Sequence, residues 1–274
     1  MTGDASWDFL NPSSKERVLE VLDRQAEAMF ALAGDPAHWH MPTACAGWDV
    51  GDMVGHLVDA TEASLSAFDL ARRGERGPDA VGVAGMATAT DNAARAMRSV
   101  PRNDLLARLR DNTAQLMAEF ESLSDTDWSG HVIPDPYMGA LPASVVATGL
   151  LGGYTVHGWD VRQGLGAPHE IAGDAADLLV PFVYLLWWAT ADPSSVVEPY
   201  AIGIRTTGVN GGETRFDVSP TEVRFAAGAI DGCAAILELD PGSLVLTAYN
   251  RINSGTIRGD ERAATRFRSL FVAI

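Results

Sequence analysis

DVGDMVGHLVDATEASLSAFDLARR, Asp49 to Arg73, reads as one long helix opened by its aspartate and closed before the solvated loop Gly74–Pro78. It puts His56 in mid-helix, with Asp52, Met53, Asp59 and Ala60 one turn away. Upstream, residues 14–33 carry Val18, Leu19, Leu22, Ala26, Met29 and Phe30 at helical spacing, with Ser13 or Ser14 as the expected cap and Gly34–Pro36 as the stop. Downstream, a helical region runs from about Met86 to Leu123 and is interrupted near Pro101. Residues 125–140 read as a loop rich in Pro and Gly. Pro142 then opens a fourth long helix reaching Gln163, and an apolar helix follows over about Ala175–Thr190.

The texture changes after Pro193. Short β-like runs at Tyr200–Thr207, Thr214–Val218, Glu222–Ala226 and Ala234–Leu239 are separated by Gly, Asn and Asp turns. Helical stretches at Gly242–Tyr249 and Glu261–Phe271 complete the chain. The expected fold is α+β in two domains: a four-helix-type bundle over 1–195 and a smaller α+β domain over 196–274.

The 274 residues are 47% hydrophobic and 20% charged, enough apolar material for a real core. No apolar run approaches the roughly 20 residues of a membrane span, and the acidic first ten residues do not resemble a secretory signal. A soluble, cytoplasmic protein is expected. The net charge of −16 repels phosphate backbones and anionic lipid surfaces, which argues against nucleic acid and membrane partners and for a small-molecule one. Lys15 is the sole lysine. Cys45 and Cys233 are far apart and form no CxxC pattern, so free thiols in a reducing compartment are expected. Both read first as small buried residues.

The chemistry-bearing residues concentrate on two helices. His56 lies on the first, and His157 near the end of the fourth long helix, in GGYTVHGWDVRQG. Facing helices of a bundle bring such imidazoles to a shared interior point, where a borderline ion such as zinc finds donors. Each histidine alone reads first as a packed, hydrogen-bonded residue. Asp160, three residues after His157, either orients that imidazole or pairs with an arginine. Gly149, Gly153 and His157 share one stripe at i, i+4, i+8. Close helix packing is the favoured explanation of that stripe, and a cavity beneath His157 the alternative. Arg251, in LTAYNRINSGTIRGD, reads by itself as a surface group.

Three segments carry a resemblance. PTACAGWDVGDMVGHLVDA (Pro42–Ala60) resembles a P-x-x-C-x-G-W-x-V-x-D-x-x-x-H-L signature, HGWDVR (His157–Arg162) an H-G-W-D-x-R signature, and LTAYNRINSGTIRGDERAATRF (Leu246–Phe267) the end of a C-terminal module. Together they resemble the mycothiol-dependent maleylpyruvate isomerase family, which joins a DinB-like helical bundle to a sterol-carrier-like α+β domain. The resemblance implies a thiol-dependent isomerase or thiol transferase acting on a small unsaturated metabolite, with mycothiol as co-substrate. It implies a divalent metal, usually zinc, held by two histidines and a glutamate. His56 and His157 match the histidines, and Gly153 stands where the glutamate belongs. Arg251 matches an arginine that binds the anionic substrate, and Cys45 a common family cysteine.

The glycine at 153 leaves three outcomes open. The missing carboxylate comes from Asp52, Asp59 or Glu62, and the metal stays. Alternatively, the metal and thiol are gone and His56 and His157 act as an acid–base pair. In the third, the chain is a non-catalytic small-molecule-binding protein.

Overall fold

A computed structural model describes residues 5–167 and 170–271, so residues 1–4, 168–169 and 272–274 of the two expected domains lie outside the described residues. The chain forms two compact units. One runs from Phe9 to Ile171, and the other takes in the chain from Ala172 onward together with the stretch up to Asp8.

The helical unit is a bundle of α1 (Lys15–Gly34), α2 (Val50–Arg73), α4 (Arg102–Ser122) and α6 (Ala143–Gly164), with α3 (Val83–Ala96) packed on α2. Its ends follow local chemistry. Asp49 and Asp52 form a reciprocal capping box at the start of α2, and Gly74 (φ 65°) closes it in the left-handed region, donating to Ala71 and Leu70. Pro101 separates α3 from α4, as its missing N–H requires. The α1 cap differs from expectation. Neither serine side chain caps the helix; the Asn11 side chain accepts from Ser13 N and caps a preceding 3-10 turn. Lys15 Nζ crosses to the end of α4 and donates to the carbonyls of Glu121 (2.8 Å) and Leu123. Helix α6 is apolar on nearly every side, with sixteen of its residues buried, and it packs on α1 and α2.

Residues 125–140 are more ordered than their composition suggests. Ser124 caps a short helix, α5 (Asp125–Gly130), that buries Trp128 against the Phe9 carbonyl. A hairpin of β1 (Val132–Asp135) and β2 (Gly139–Pro142) follows, its turn held by the Asp135 side chain accepting from the N–H groups of Tyr137 and Met138.

The second unit holds α7 (Gly173–Thr190) and a five-stranded sheet of order β5-β4-β3-β6-β7. The strands are β3 (Tyr200–Thr206), β4 (Gly212–Val218), β5 (Val223–Ala227), β6 (Ala235–Leu239) and β7 (Thr256–Gly259), and only the β3–β6 pair is parallel. Helices α8 (Pro241–Ala248) and α9 (Glu261–Arg268) complete it. The core is aromatic: Trp187 stacks on Phe271 at 5.0 Å and meets Phe267 edge-on, while Tyr184 and Phe267 both pack on Phe216. These contacts correct the expected boundary. Helix α7 contributes Tyr184 and Trp187 to this core, so the division falls between 171 and 172 rather than at 195/196. The architecture is the α+β two-domain fold expected. Among the described residues, no helix is long and apolar enough to cross a membrane.

Candidate functional site

The site grows from the two ends of one electrostatic frame. Asp52, 4% exposed, accepts a forked pair of hydrogen bonds from Arg98 at 2.7 and 2.8 Å. That guanidinium holds the Asp52 carboxyl below the ordinary carboxylate range, against the opposing effect of burial. One turn later on α2 comes His56. Its ring meets that of His157 from α6 edge-on, with centroids 5.0 Å apart and planes at 90°. Trp48 flanks His56 at 5.3 Å and is itself fixed by a 2.8 Å bond from Nε1 to Asp91.

Asp160, fully buried one turn along α6, lies with Oδ2 3.0 Å from Nδ1 of His157. A carboxylate accepts, so this contact assigns the Nδ1 proton and leaves Nε2 as the free lone pair. The same Oδ2 accepts from Cys45 Sγ at 3.3 Å. Cys45 reaches it because its loop is clamped to α6: Ala44 N donates to the Asp160 carbonyl at 3.0 Å, and Gly164 lets the Pro42 backbone approach so closely that a Cβ there would lie 1.9 Å from the Pro42 oxygen. Cys45, His157 and Asp160 thereby bring one donor atom each within 4.8 Å of one another. A cleft of about 480 Å³ adjoins this loop, lined among others by Trp39, Cys45, Trp48, Asp52 and Arg98.

The three acidic residues expected to replace the missing glutamate are all engaged elsewhere. Asp52 pairs with Arg98, Asp59 accepts from the Tyr137 hydroxyl at 3.0 Å, and Glu62 holds Arg108 in a forked pair. Burial, reinforced by Asp59, pushes the Tyr137 phenol well above its ordinary range. Gly153 is not a close-packing glycine. An added Cβ would touch only Leu57 Cδ2, at 3.9 Å, so the space reading of that position replaces the packing one.

The other expected residues lie in the second unit. Arg251 follows α8 on a turn in which Asn250 (φ 55°) takes the left-handed C′ position, and its Nη1 donates to the Tyr249 carbonyl at 2.9 Å. Cys233 sits beside Arg215, and burial pushes its thiol up. Sequence reasoning missed the joint claim of Cys45 and His157 on Asp160, and the Trp48 wall. All four residues stand inside the quoted motifs, but only the folded loop shows them meeting.

Residues 19–162 match a family model described as the mycothiol maleylpyruvate isomerase N-terminal domain. Among solved structures, the chain resembles a mycothiol-dependent maleylpyruvate isomerase at 16% identity and TM-score 0.60, over 89% of this chain and 92% of the other. A histidine-to-alanine mutant of such an isomerase matches at 15% identity, with the same TM-score and coverage. The colibactin self-resistance protein ClbS, solved with double-stranded DNA, gives 16% identity and TM-score 0.49 over 57% of this chain and 97% of its own. No curated protein matches. With more than half its length under that family model, and both signature histidines in ring contact inside it, the chain belongs to the mycothiol maleylpyruvate isomerase family.

Proposed function

We propose that this protein is an enzyme that uses a small thiol, mycothiol, to isomerise a small cis-unsaturated acid or to transfer sulfur to a related electrophile. The observation that carries the proposal is the His56–His157 ring contact with Asp160 fixed on Nδ1 of His157. A buried carboxylate on one nitrogen orients the ring and leaves the lone pair of the other nitrogen to accept a proton. His157 Nε2 takes the thiol proton. The sulfur forms a bond to one carbon of the cis double bond, and the displaced pair moves into the conjugated carbonyl as an enolate, which His56 stabilises by donating a proton. The former double bond now rotates. Return of the electron pair expels sulfur, restores the double bond in the trans form, and sends each proton back.

The metal implied by the family finds only part of its donor set here. The family's His-His-Glu set is not met, because Gly153 brings no carboxylate and Asp52, Asp59 and Glu62 are committed elsewhere. Cys45, His157 and Asp160 bring a thiol, an imidazole and a carboxylate within 4.8 Å, a donor set that suits an ion such as zinc once the protons now directed at Asp160 Oδ2 are displaced, so an ion held there is an alternative to proton transfer through His157. A divalent ion bound there supplies a Lewis acid that lowers the pKa of an incoming thiol. Arg251 keeps the family-based assignment of substrate anion binding, and its replacement by Ala is expected to raise KM more than it lowers kcat.

The test is turnover of maleylpyruvate and simpler cis-enoates with and without mycothiol. Thiol-dependent turnover is expected, with His56→Ala and His157→Ala each lowering kcat at least 100-fold while the fold, by circular dichroism, is retained. Turnover that ignores both histidines sinks the proposal. Gly153 favours a second reading, a diverged enzyme in which the two imidazoles act without metal or thiol; turnover that persists in chelator and without thiol selects it.

A further inference from the structure

The second unit contains a cavity of about 310 Å³, whose walls include Trp187, Phe271, Thr247, Asn250, Asn253 and Arg268. Two of its polar groups are left wanting. Thr247, on the last turn of α8, is 7% exposed, and its Oγ1 has no hydrogen-bond partner among the described residues. Thr61, Thr113, Thr148 and Thr265 return the hydroxyl to the carbonyl four residues back, whereas Thr247, like Thr155 in α6, does not. Arg268 ends α9, and its Nε is likewise buried without a partner. One of its terminal nitrogens donates to the Ser254 carbonyl at 2.7 Å, and among the described residues no carboxylate pairs with it. Burial pushes this guanidinium below its ordinary range.

A cation in such a position costs stability unless an anion joins it. The guanidinium fork matches a carboxylate, and a threonine hydroxyl and two carboxamides beside it supply further donors. The lining also includes the stacked pair Trp187 and Phe271, planes 13° apart, an apolar surface suited to a flat ring. The volume sits at the small end of ligand cavities. We propose that this cavity is a binding site for a small aromatic carboxylate, its carboxylate on Arg268 and Thr247 and its ring against Trp187 and Phe271. None of its lining residues belongs to the His56–His157 site.

Benzoate is the probe, titrated calorimetrically into the full-length protein, with benzamide as the uncharged isostere and acetate and sulfate as anions lacking the ring. One saturable benzoate site per chain is expected, with benzamide, acetate and sulfate at least tenfold weaker. Arg268→Gln should lower benzoate affinity at least tenfold and Thr247→Val about threefold, while His157→Ala leaves it unchanged. Arg268→Lys, which keeps charge and stem but loses the fork, covers the case in which Arg268→Gln does not fold, and a threefold or greater loss is expected of it. Undiminished affinity in the folded Arg268 variants overturns the proposal. So does loss of binding in His157→Ala, or sulfate binding as well as benzoate. The last two outcomes leave the thiol-enzyme reading untouched.

Discussion

Nδ1 of His157 and Oδ2 of Asp160 lie 3.0 Å apart, one helical turn from each other, with the carboxylate fully buried. That single contact fixes both the ring's orientation and its proton. Replacing Asp160 by Asn keeps the shape but offers an amide that donates as readily as it accepts. Turnover in Asp160→Asn should fall about 10- to 100-fold, the usual range for losing the partner of a working imidazole. Nitrogen-15 chemical shifts of the imidazole check the cause: the His157 tautomer should change with the rate.

Restoring the family carboxylate is sterically open. Since an added Cβ at 153 meets only Leu57 Cδ2 at 3.9 Å, Gly153→Glu should fold and should bind zinc at least tenfold more tightly than the parent, as a charged carboxylate joins the two neutral imidazoles. Competition against a chromogenic chelator measures it. An unchanged affinity would mean that His56 and His157 do not face a common ion.

Acid should unfold the helical unit partly through Asp52. Its carboxyl lies below the ordinary range in the folded state, so the stabilisation is present above the unfolded value of about 3.9 and is lost as pH falls through the folded one. Asp52→Asn removes the charge and the two-oxygen fork that face Arg98, and should cost about 2 kcal/mol at pH 7. The gap between the urea midpoints of the two proteins should narrow as pH falls below about 4.

Gly164 has a different task. Any side chain there collides with the Pro42 backbone, so Gly164→Ala must push the 42–45 loop off α6, at a cost of about 2–3 kcal/mol. Loop displacement also separates Cys45 from Asp160. Thiol reagents should therefore modify Cys45 faster in the variant, read by mass spectrometry on native protein.

What was legible followed from how local each signal is. The long helices were readable because Asp49, Gly74, Pro101 and Pro142 act within a few residues of themselves, and four strands were readable from alternation between turn residues. Strand β7 escaped because its residues are mostly exposed and carry no alternation, and it is a strand only through pairing with β6. The hairpin at 132–142 escaped because Pro and Gly mark loops and tight turns alike. At the site, the i, i+3 spacing made the His157–Asp160 bond a stated option. The Cys45 bond to Asp160 spans 115 positions and exists only because Gly164 admits the loop. The domain boundary was misplaced for a similar reason: α7 reads like one more bundle helix, and only its aromatic partners, Phe216 and Phe267, assign it to the sheet.

The bond from Lys15 to the end of α4 has a practical consequence. Because the chain has one lysine, amine-directed chemistry finds a single side-chain target, half-buried, holding two terminal carbonyls of another helix. Acetylation would remove the donor charge and uncap α4, whereas reductive methylation would keep the charge. The labelling rate at that one amine thus becomes a site-specific gauge of how firmly the first helix is docked, without any engineered reporter.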